Sequence, residues 1–345
     1  MKKIFYIMSS SISKWFSYFC SEKNYKEIAV RNLPLNNKVS EEITRIECLY
    51  GKEVEIYILS SHISLNRDIC LARLLIKKGY VVYAQSDMAT DYGINKVYQK
   101  EMFEVNKYLT PQWTVSHKNI NNDYLIKKNN TTEAKGVTWY NNKTFHRRDI
   151  YFEKYISGTE YSVNVFSDKI QSLAFPAVYK GVNSKELVPP YMRIRLCGKY
   201  NNQVEIYVNK MQNIALELSK EINNYGFMEV EFLVDKEGNI YILEINPRVS
   251  GTLRIAALAA GVKCFDLFFY SKMPKSKLVA RHNAYEIPYE GSTLFNNDAG
   301  IYCTSRATFL ASTNNEIEDK LRLIGEQKIT LTDIINRKNE VLAIQ

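Results

Sequence analysis

The 345 residues include six cysteines, Cys20, Cys48, Cys70, Cys197, Cys264 and Cys303, and only four histidines. No two cysteines form a C-x-x-C pair and no histidine pattern accompanies them. That excludes a disulfide framework or a zinc site and leaves reduced core cysteines. Long apolar runs are missing as well. The stretch 4–8 follows Lys2 and Lys3 and is broken by serines within 9–13 and by Lys14, too short for a secretory h-region or a membrane span. It reads as a first buried strand; the expected location is cytoplasmic, with no membrane partner. No G-x-G-x-x-G follows any predicted strand, so dinucleotide binding has no support. The net charge is +9, yet no block of one sign stands out. Nucleic-acid binding is therefore not expected, and a share of the positive charge is left for a polyphosphate. Internal repeats, low-complexity runs and Pro/Gly-rich linkers are also absent.

What remains is ordinary globular material, 46% hydrophobic and 24% charged, enough for a large core and two or three structural units. Alternation over 53–59 predicts a strand, helical spacing over 66–78 a helix, Gly79 its stop, and 80–84 a second strand. Strand, helix and strand in that order argue for a small parallel α/β domain. A helix is predicted over 95–109, ending before Pro111. Short strands follow over 124–128, 137–140, 150–155, 160–166 and 170–177. The spacing predicts an amphipathic helix over 208–225, closed by Gly226. The segments 227–234 and 239–245 alternate around Asp235-Lys236-Glu237-Gly238 and form a hairpin. A helix over 254–260 is closed by Gly261, and the region from 301 to the end holds a strand and a helix near 315–325.

That hairpin carries the chemistry. Glu231 and Glu244 fall near each other across the ladder, and Asn246, two residues on, shares the face of Glu244. Two carboxylates and an amide oxygen suit Mg2+, which keeps waters and substrate phosphates as its other ligands. Arg248 continues the alternation toward a phosphate. A solvated sheet face is the bland alternative. Asn246-Pro247-Arg248 is an odd ending for such a face, and Val249-Ser250-Gly251-Thr252 then opens a helix, an anion-binding geometry.

The run from Gly226 through Glu231 to Glu244-Ile245-Asn246-Pro247-Arg248 resembles the metal-binding hairpin of the ATP-grasp superfamily. A second match lies upstream, in Glu153-Lys154-Tyr155-Ile156-Ser157-Gly158-Thr159-Glu160, similar to that family's linker between lid and core. The resemblance spans roughly 95–261. It implies an α/β (α+β) ATP-grasp fold: a short N-terminal parallel α/β domain (1–92), a linker helix with a reduced lid (93–157), and an antiparallel-sheet C-terminal core with an extension (158–345). By the same resemblance Glu231, Glu244 and Asn246 hold Mg2+, with Mn2+ as an alternative ion. Glu153, Lys154 and Ile156 hold the adenine of ATP and Glu160 its ribose. Lys100 and Lys127 touch the phosphates, with Lys96 and Lys128 as alternatives in register. Arg248 and Arg254 are the catalytic candidates; Arg193 and Arg195, in a long loop before the 208–225 helix, and Ser250, Gly251 and Arg306 are the substrate-binding ones. The sequence departs from the family at 129–136, where a loop rich in Asn and Thr with one glycine replaces a glycine-rich lid.

The function implied is an ATP-dependent ligase. It activates a small carboxylate, an amino acid by preference, as an acyl phosphate, joins it to an amine, and releases ADP and phosphate. Its partners are small-molecule acid and amine substrates, with a homodimer as the expected assembly. An ATP-binding protein with weak catalysis and a regulatory or assembly role is the alternative, prompted by the glycine-poor loop.

Overall fold

Three sheets organise the described residues of the computed structural model. It describes residues 3–8, 12, 15–33, 36–61, 63–118, 120–129, 137–141, 149–168, 170–270, 276–289, 295–296, 300–303, 306–325 and 328–342. The loop 130–136, with its unusual composition, lies outside the described residues. The first sheet is parallel, in the order β2-β1-β3-β4, and consists of β1 (Lys3–Met8), β2 (Ile28–Asn32), β3 (Val54–Leu59) and β4 (Val81–Tyr83). Short helix α1 (Glu22–Lys26) precedes β2, and α2 (Val39–Tyr50) and α3 (Leu65–Lys77) make the crossovers. Leu71 and Leu75 of α3 have no exposure and cluster with Ile56 and Ile58 of β3. Gly79, at φ +84°, turns the chain back at the end of α3, where the Tyr80 N–H donates to the Leu75 carbonyl at 3.1 Å, the geometry glycine adopts without steric cost.

Helices α4 (Asp87–Ile94) and α5 (Lys96–Val105) lead out of this unit. The Asn95 side chain caps α5 by accepting from Val97 N and Tyr98 N, so the predicted helix 95–109 begins on its cap and ends four residues early. The second sheet is antiparallel and small, in the order β5-β8-β6-β7, from β5 (Trp113–Thr114), β6 (Tyr124–Lys128), β7 (Thr138–Trp139) and β8 (Ile150–Lys154).

The third sheet holds ten strands among the described residues, in the order β14-β13-β9-β11-β12-β15-β18-β17-β16, with β10 beside β9. Its members are β9 (Gly158–Ser167), β10 (Ser172–Ala174), β11 (Val178–Val182), β12 (Arg195–Cys197), β13 (Gly226–Asp235), β14 (Ile240–Asn246), β15 (Ala284–Pro288), β16 (Phe295–Asn296), β17 (Ile301–Cys303) and β18 (Arg306–Leu310). Helix α6 (Asn202–Glu221) covers one face, where Val208, Met211 and Ala215 pack with Val163, Val165, Met228 and Val230. Helix α7 (Leu253–Ala260) packs with Phe166, Val178 and Phe227 on the other. The period of two settles the rest: even positions of β13 and odd positions of β9 go to α6, so Glu229, Glu231, Glu160, Ser162 and Asn164 share the opposite face. Helices α8 (Asn314–Ile324) and α9 (Leu331–Leu342) close the chain, and the buried Ile334 and Val341 of α9 join the α6-side core.

Two sequence expectations change here. The helix predicted from 208 starts at Asn202, because the Asn201 side chain accepts from Val204 N at 2.9 Å and starts the helix earlier. Arg195 is not in a loop but on strand β12, and Arg193 stands two residues before it, both 8% exposed.

Candidate active site

A cavity of about 410 Å³ opens where the three sheets meet. The second sheet contributes Lys127, Glu153 and Lys154, the linker after it Ile156, and the third sheet Glu160, Glu231, Glu244 and Arg195. Charge changes sign across the third sheet. Its β13–β14 edge carries the carboxylates, and β12 and β18 carry Arg195 and Arg306.

Glu231 on β13 pairs directly with Glu244 on β14, and a bulge follows at Glu231/Phe232. Each carboxylate is answered by a lysine. Lys180 on β11 lies 2.6 Å from Glu231, and Lys96 at the first turn of α5 bonds Glu244. Lys96 reaches Glu244 because α4 presses against the chain after β14: a Cβ added at Gly93 would lie 2.7 Å from Pro247 Cγ. Burial, with Glu244 and Glu229 beside it, pushes the Glu231 carboxyl up to about 7 against the pull of Lys180. Burial also opposes charge on Glu244, but Lys96, Asn246 and Arg248 hold it well below the usual carboxylate range.

Among the described residues no cluster of three or more His, Cys, Asp or Glu side chains is placed to hold a metal. The paired carboxylates nevertheless fit a Mg2+ ion, which takes one or two protein carboxylates and completes its shell with water and phosphate oxygens. Asn246 stands differently from the sequence expectation. It is 3% exposed, its Nδ2 donates to Glu244 at 2.9 Å, and its Oδ1 accepts from Arg248 Nη2 at 2.8 Å. In this arrangement it braces Glu244 and Arg248 and does not line the cavity.

The two phosphate lysines expected from the sequence part company. Lys127 lines the cavity. Lys100 does not: it is 1% exposed, with Nζ 2.7 Å from Thr110 Oγ1 and 2.7 Å from Glu153 Oε2. Lys96, one turn earlier on the same helix, takes the cavity position. Lys100 and Lys127 both clasp the Glu153 carboxylate. Burial alone would raise the Glu153 pKa, but these two cations pull it down. The Glu153 side chain thus anchors lysines.

The linker after Glu153 is clipped by Asn183, which the sequence reading missed. Asn183 Nδ2 donates to the Ile156 carbonyl at 2.7 Å, and its Oδ1 accepts from Gly158 N at 2.9 Å. Gly158 is required there, since a Cβ would sit 2.4 Å from the Val234 carbonyl oxygen. Glu160 faces the cavity with Arg193 at 3.3 Å.

At the basic end, Arg195, Arg254 and Arg306 converge on one carboxylate, Glu286 of β15, at 2.9, 3.0 and 2.7 Å. Glu286 has no exposure and also accepts from Thr308 Oγ1 at 3.0 Å. Burial disfavours its charge, but the three guanidinium groups hold its pKa at about 2. Burial, then Arg195, pushes Arg306 down to about 9, still protonated at neutral pH. Ser250, Gly251 and Thr252 line the cavity beside this cluster. Ile12 and Trp15 add an apolar wall from the N-terminal unit, with Trp15 braced by Phe265 at 5.1 Å. Lys180, Glu229 and Glu286 also escaped the sequence reading. For Lys180 and Glu286 the signal was a single charge inside an otherwise apolar strand, as in Ala284-Tyr285-Glu286-Ile287, and for Glu229 a second carboxylate on the face of Glu231.

This chain is similar to known proteins in one domain and in fold. Residues 94–252 match a family model described as an ATP-grasp domain. The carbamoyl phosphate synthase large chain of Thermoanaerobacter pseudethanolicus is 32% identical over 125 residues, 35% of this chain and 11% of that protein. The chain thus spans about a tenth of the length of the curated relatives it first matches. The biotin carboxylase domain of Hydrogenobacter thermophilus 2-oxoglutarate carboxylase, solved with MgADP and bicarbonate, superposes with a TM-score of 0.68. It is 15% identical and covers 93% of this chain and 89% of that one. The L-amino acid ligase of Bacillus licheniformis also gives 0.68, at 14% identity, covering 94% and 97%. At these identities the likeness establishes the fold. No helix among the described residues is long and apolar enough to cross a membrane.

Proposed function

This chain carries an ATP-grasp domain over residues 94–252, and on that premise we propose that its cavity binds Mg2+-ATP and activates a small carboxylate for ligation to an amine. The change of charge along the cavity carries the reading: paired carboxylates and two lysines at one end, arginines at the other. Glu231 and Glu244 hold the ion, with Asn246 behind them. Glu153, Lys154 and Ile156 offer their backbone to adenine, and Glu160 accepts from the ribose hydroxyls. Lys96 and Lys127 meet the phosphates, and Lys100 acts through Glu153. When bound, the ion would neutralise phosphate charge. Arg195, Arg254 and Arg306 hold the substrate carboxylate, with Ser250 and Gly251 beside it. A carboxylate oxygen attacks the terminal phosphorus and ADP leaves. The amine then attacks the acyl carbon, phosphate leaves, and the amine gives up a proton. Arg248 steadies the phosphoryl group in transit. The proposed division of the chain is 1–92, 93–157 and 158–345.

Incubation with Mg2+-ATP, hydroxylamine and a panel of carboxylates is expected to give a hydroxamate and equimolar ADP. Nucleotide binding with no hydroxamate and no ADP across the panel would favour the weakly catalytic alternative instead.

A pH dependence follows from Glu231. The ion requires it ionised, so Mg2+ affinity is expected to climb as pH rises from about 6 to about 8. Its folding contribution has the opposite sign. The folded value of about 7 exceeds the ordinary 4.5, so the native state keeps the proton longer, and stability falls as pH rises from about 4.5 to about 7. Mg2+ titration of nucleotide binding at three pH values checks this. A flat profile, or one unchanged in Glu231→Gln, contradicts it.

A further inference from the structure

Glu229 stands two residues before the metal-site Glu231, lines the same cavity, and is 5% exposed. It is fixed from one side. Its Oε1 accepts from the Thr252 hydroxyl, and Thr252 Oγ1 in turn accepts from Asn164 Nδ2 at 3.0 Å. Ser250 Oγ donates to Asn164 Oδ1 at 2.7 Å and lies 3.0 Å from Thr252 Oγ1. This ring ties Glu229 to the 249–252 turn. Among the described residues Glu229 has no ion pair. One neighbouring cation, Lys180, is committed to Glu231 at 2.6 Å and feels Glu229 only at longer range. A carboxylate buried to this degree without a cation is costly, and here it faces open cavity.

Across the same turn stands the complementary group. Arg195 is 8% exposed and gives Nη1 to Glu286, while its Nε has no acceptor among the described residues. It borders the turn closely: a Cβ at Gly251 would lie 3.8 Å from Arg195 Nη1. One side of the turn therefore offers a buried anion short of a cation, and the other a buried guanidinium N–H short of an acceptor.

We propose that the substrate carboxylate belongs to a zwitterion, an amino acid, whose ammonium is read by Glu229 while its carboxylate is held on the Arg195 side. This rests on the ligase reading of the cavity. An ammonium brings three donors to a carboxylate with a free oxygen. A plain acid presents only C–H there and bicarbonate only oxygen, so neither pairs with Glu229, which discriminates against them as well as for the amino acid. Glu229 does not join the metal pair instead, because no three-carboxylate group is assembled among the described residues and Thr252 pulls it toward the turn.

The test uses the full chain with Mg2+-ATP and hydroxylamine, and compares L-alanine with propionate and L-leucine with 4-methylpentanoate. At least one amino acid is expected to exceed its deaminated partner in kcat/KM by about 100-fold or more, a floor set below the roughly 10,000-fold by which a site built to bond a group rejects an analogue lacking it. Glu229→Gln keeps the Thr252 bond and removes the charge. It is expected to raise the amino-acid KM and lower that of the plain acid, so that the two converge, while the KM for ATP stays fixed. Glu229→Asp retains the preference in direction. Equal use of both members of each pair, or equal losses for both in Glu229→Gln, overturns the inference. If no acid is turned over, the ligase reading fails, and calorimetry with the same pairs still decides this one: binding of the amino acid alone supports it, and equal or absent binding of both members overturns it.

Discussion

Glu286→Ala is expected to lower the unfolding free energy by about 3–5 kcal/mol, the range for removing one partner of a buried ion pair. Glu286 is fully buried on β15 and receives Arg195, Arg254 and Arg306 within 3.0 Å. Removing its carboxylate leaves three guanidinium groups facing one another with nothing between them. Arg306 shows how strained that balance already is, since burial and Arg195 depress it even with Glu286 in place. Its other N–H groups are spent on the carbonyls of Tyr191 and Arg193, so the region before β12 loosens with it. Glu286→Gln keeps an acceptor and the shape, and should lose less, about 1.5–3 kcal/mol for a hydrogen bond that had been charge-assisted. Urea unfolding checks both: the midpoint falls and the slope stays the same. A loss under about 1 kcal/mol for the alanine variant, within the reach of an exposed pair, would contradict the argument. The acid limb gives a second reading. Glu286 titrates near 2 in the fold against an ordinary 4.5. Its stabilisation is complete above about 4.5 and is lost as pH falls toward 2, so the variant should lack that part of the acid slope.

How much of this was legible in the sequence depends on how far apart the partners lie. The hairpin was legible because it is local. Alternation set β13 and β14, and Gly238 at φ +81° with Asp235 accepting from Glu237 N and Asn239 N made the turn. The linker 153–160 was legible for the same reason. Glu286 was not, because its partners lie 91, 32 and 20 residues away, and no local pattern announces a carboxylate that three arginines will share. Lys96 and Lys100 lie one turn apart on one helix face, so periodicity cannot choose between them. The choice is tertiary: the contact of Gly93 with Pro247 turns the start of α5 toward Glu244 and puts Lys100 under Glu153. The arginine segment before α6 read as a loop because β12 is only three residues long and earns its place by pairing with β11 and β15.

Glu244→Ala is expected to cut ATP-dependent turnover by at least about 100-fold, the loss typical of removing one preorganised electrostatic contact to a charged transition state. Glu244 is one half of the only strand-paired carboxylates in the described cavity, directly opposite Glu231. It also positions two neighbours: Lys96 bonds it, and Asn246 donates to it at 2.9 Å. Its loss therefore does three things at the place where phosphate charge must be neutralised. The ion loses a ligand, Lys96 loses its tether, and Asn246, which still holds Arg248 at 2.8 Å, loses its own brace. Glu231 gains in one respect. Without a like charge beside it, its carboxyl is expected to fall back toward the ordinary range, so residual activity should show less dependence on pH between about 6 and 8. Folding should lose about 1–3 kcal/mol, because the pair with Lys96 is largely buried, at 15% and 18% exposure, and Lys96 is left without its partner, while relief of the repulsion with Glu231 offsets part of the loss. ADP release measured across a Mg2+ titration at a temperature well below unfolding, alongside thermal unfolding, separates these effects. The half-saturating Mg2+ concentration should rise in protein that is still folded. Turnover within about threefold of the parent, at unchanged Mg2+ dependence, would remove Glu244 from the ion's site and with it the strongest support for nucleotide activation in this cavity, because the lysines alone offer charge but no place for the metal.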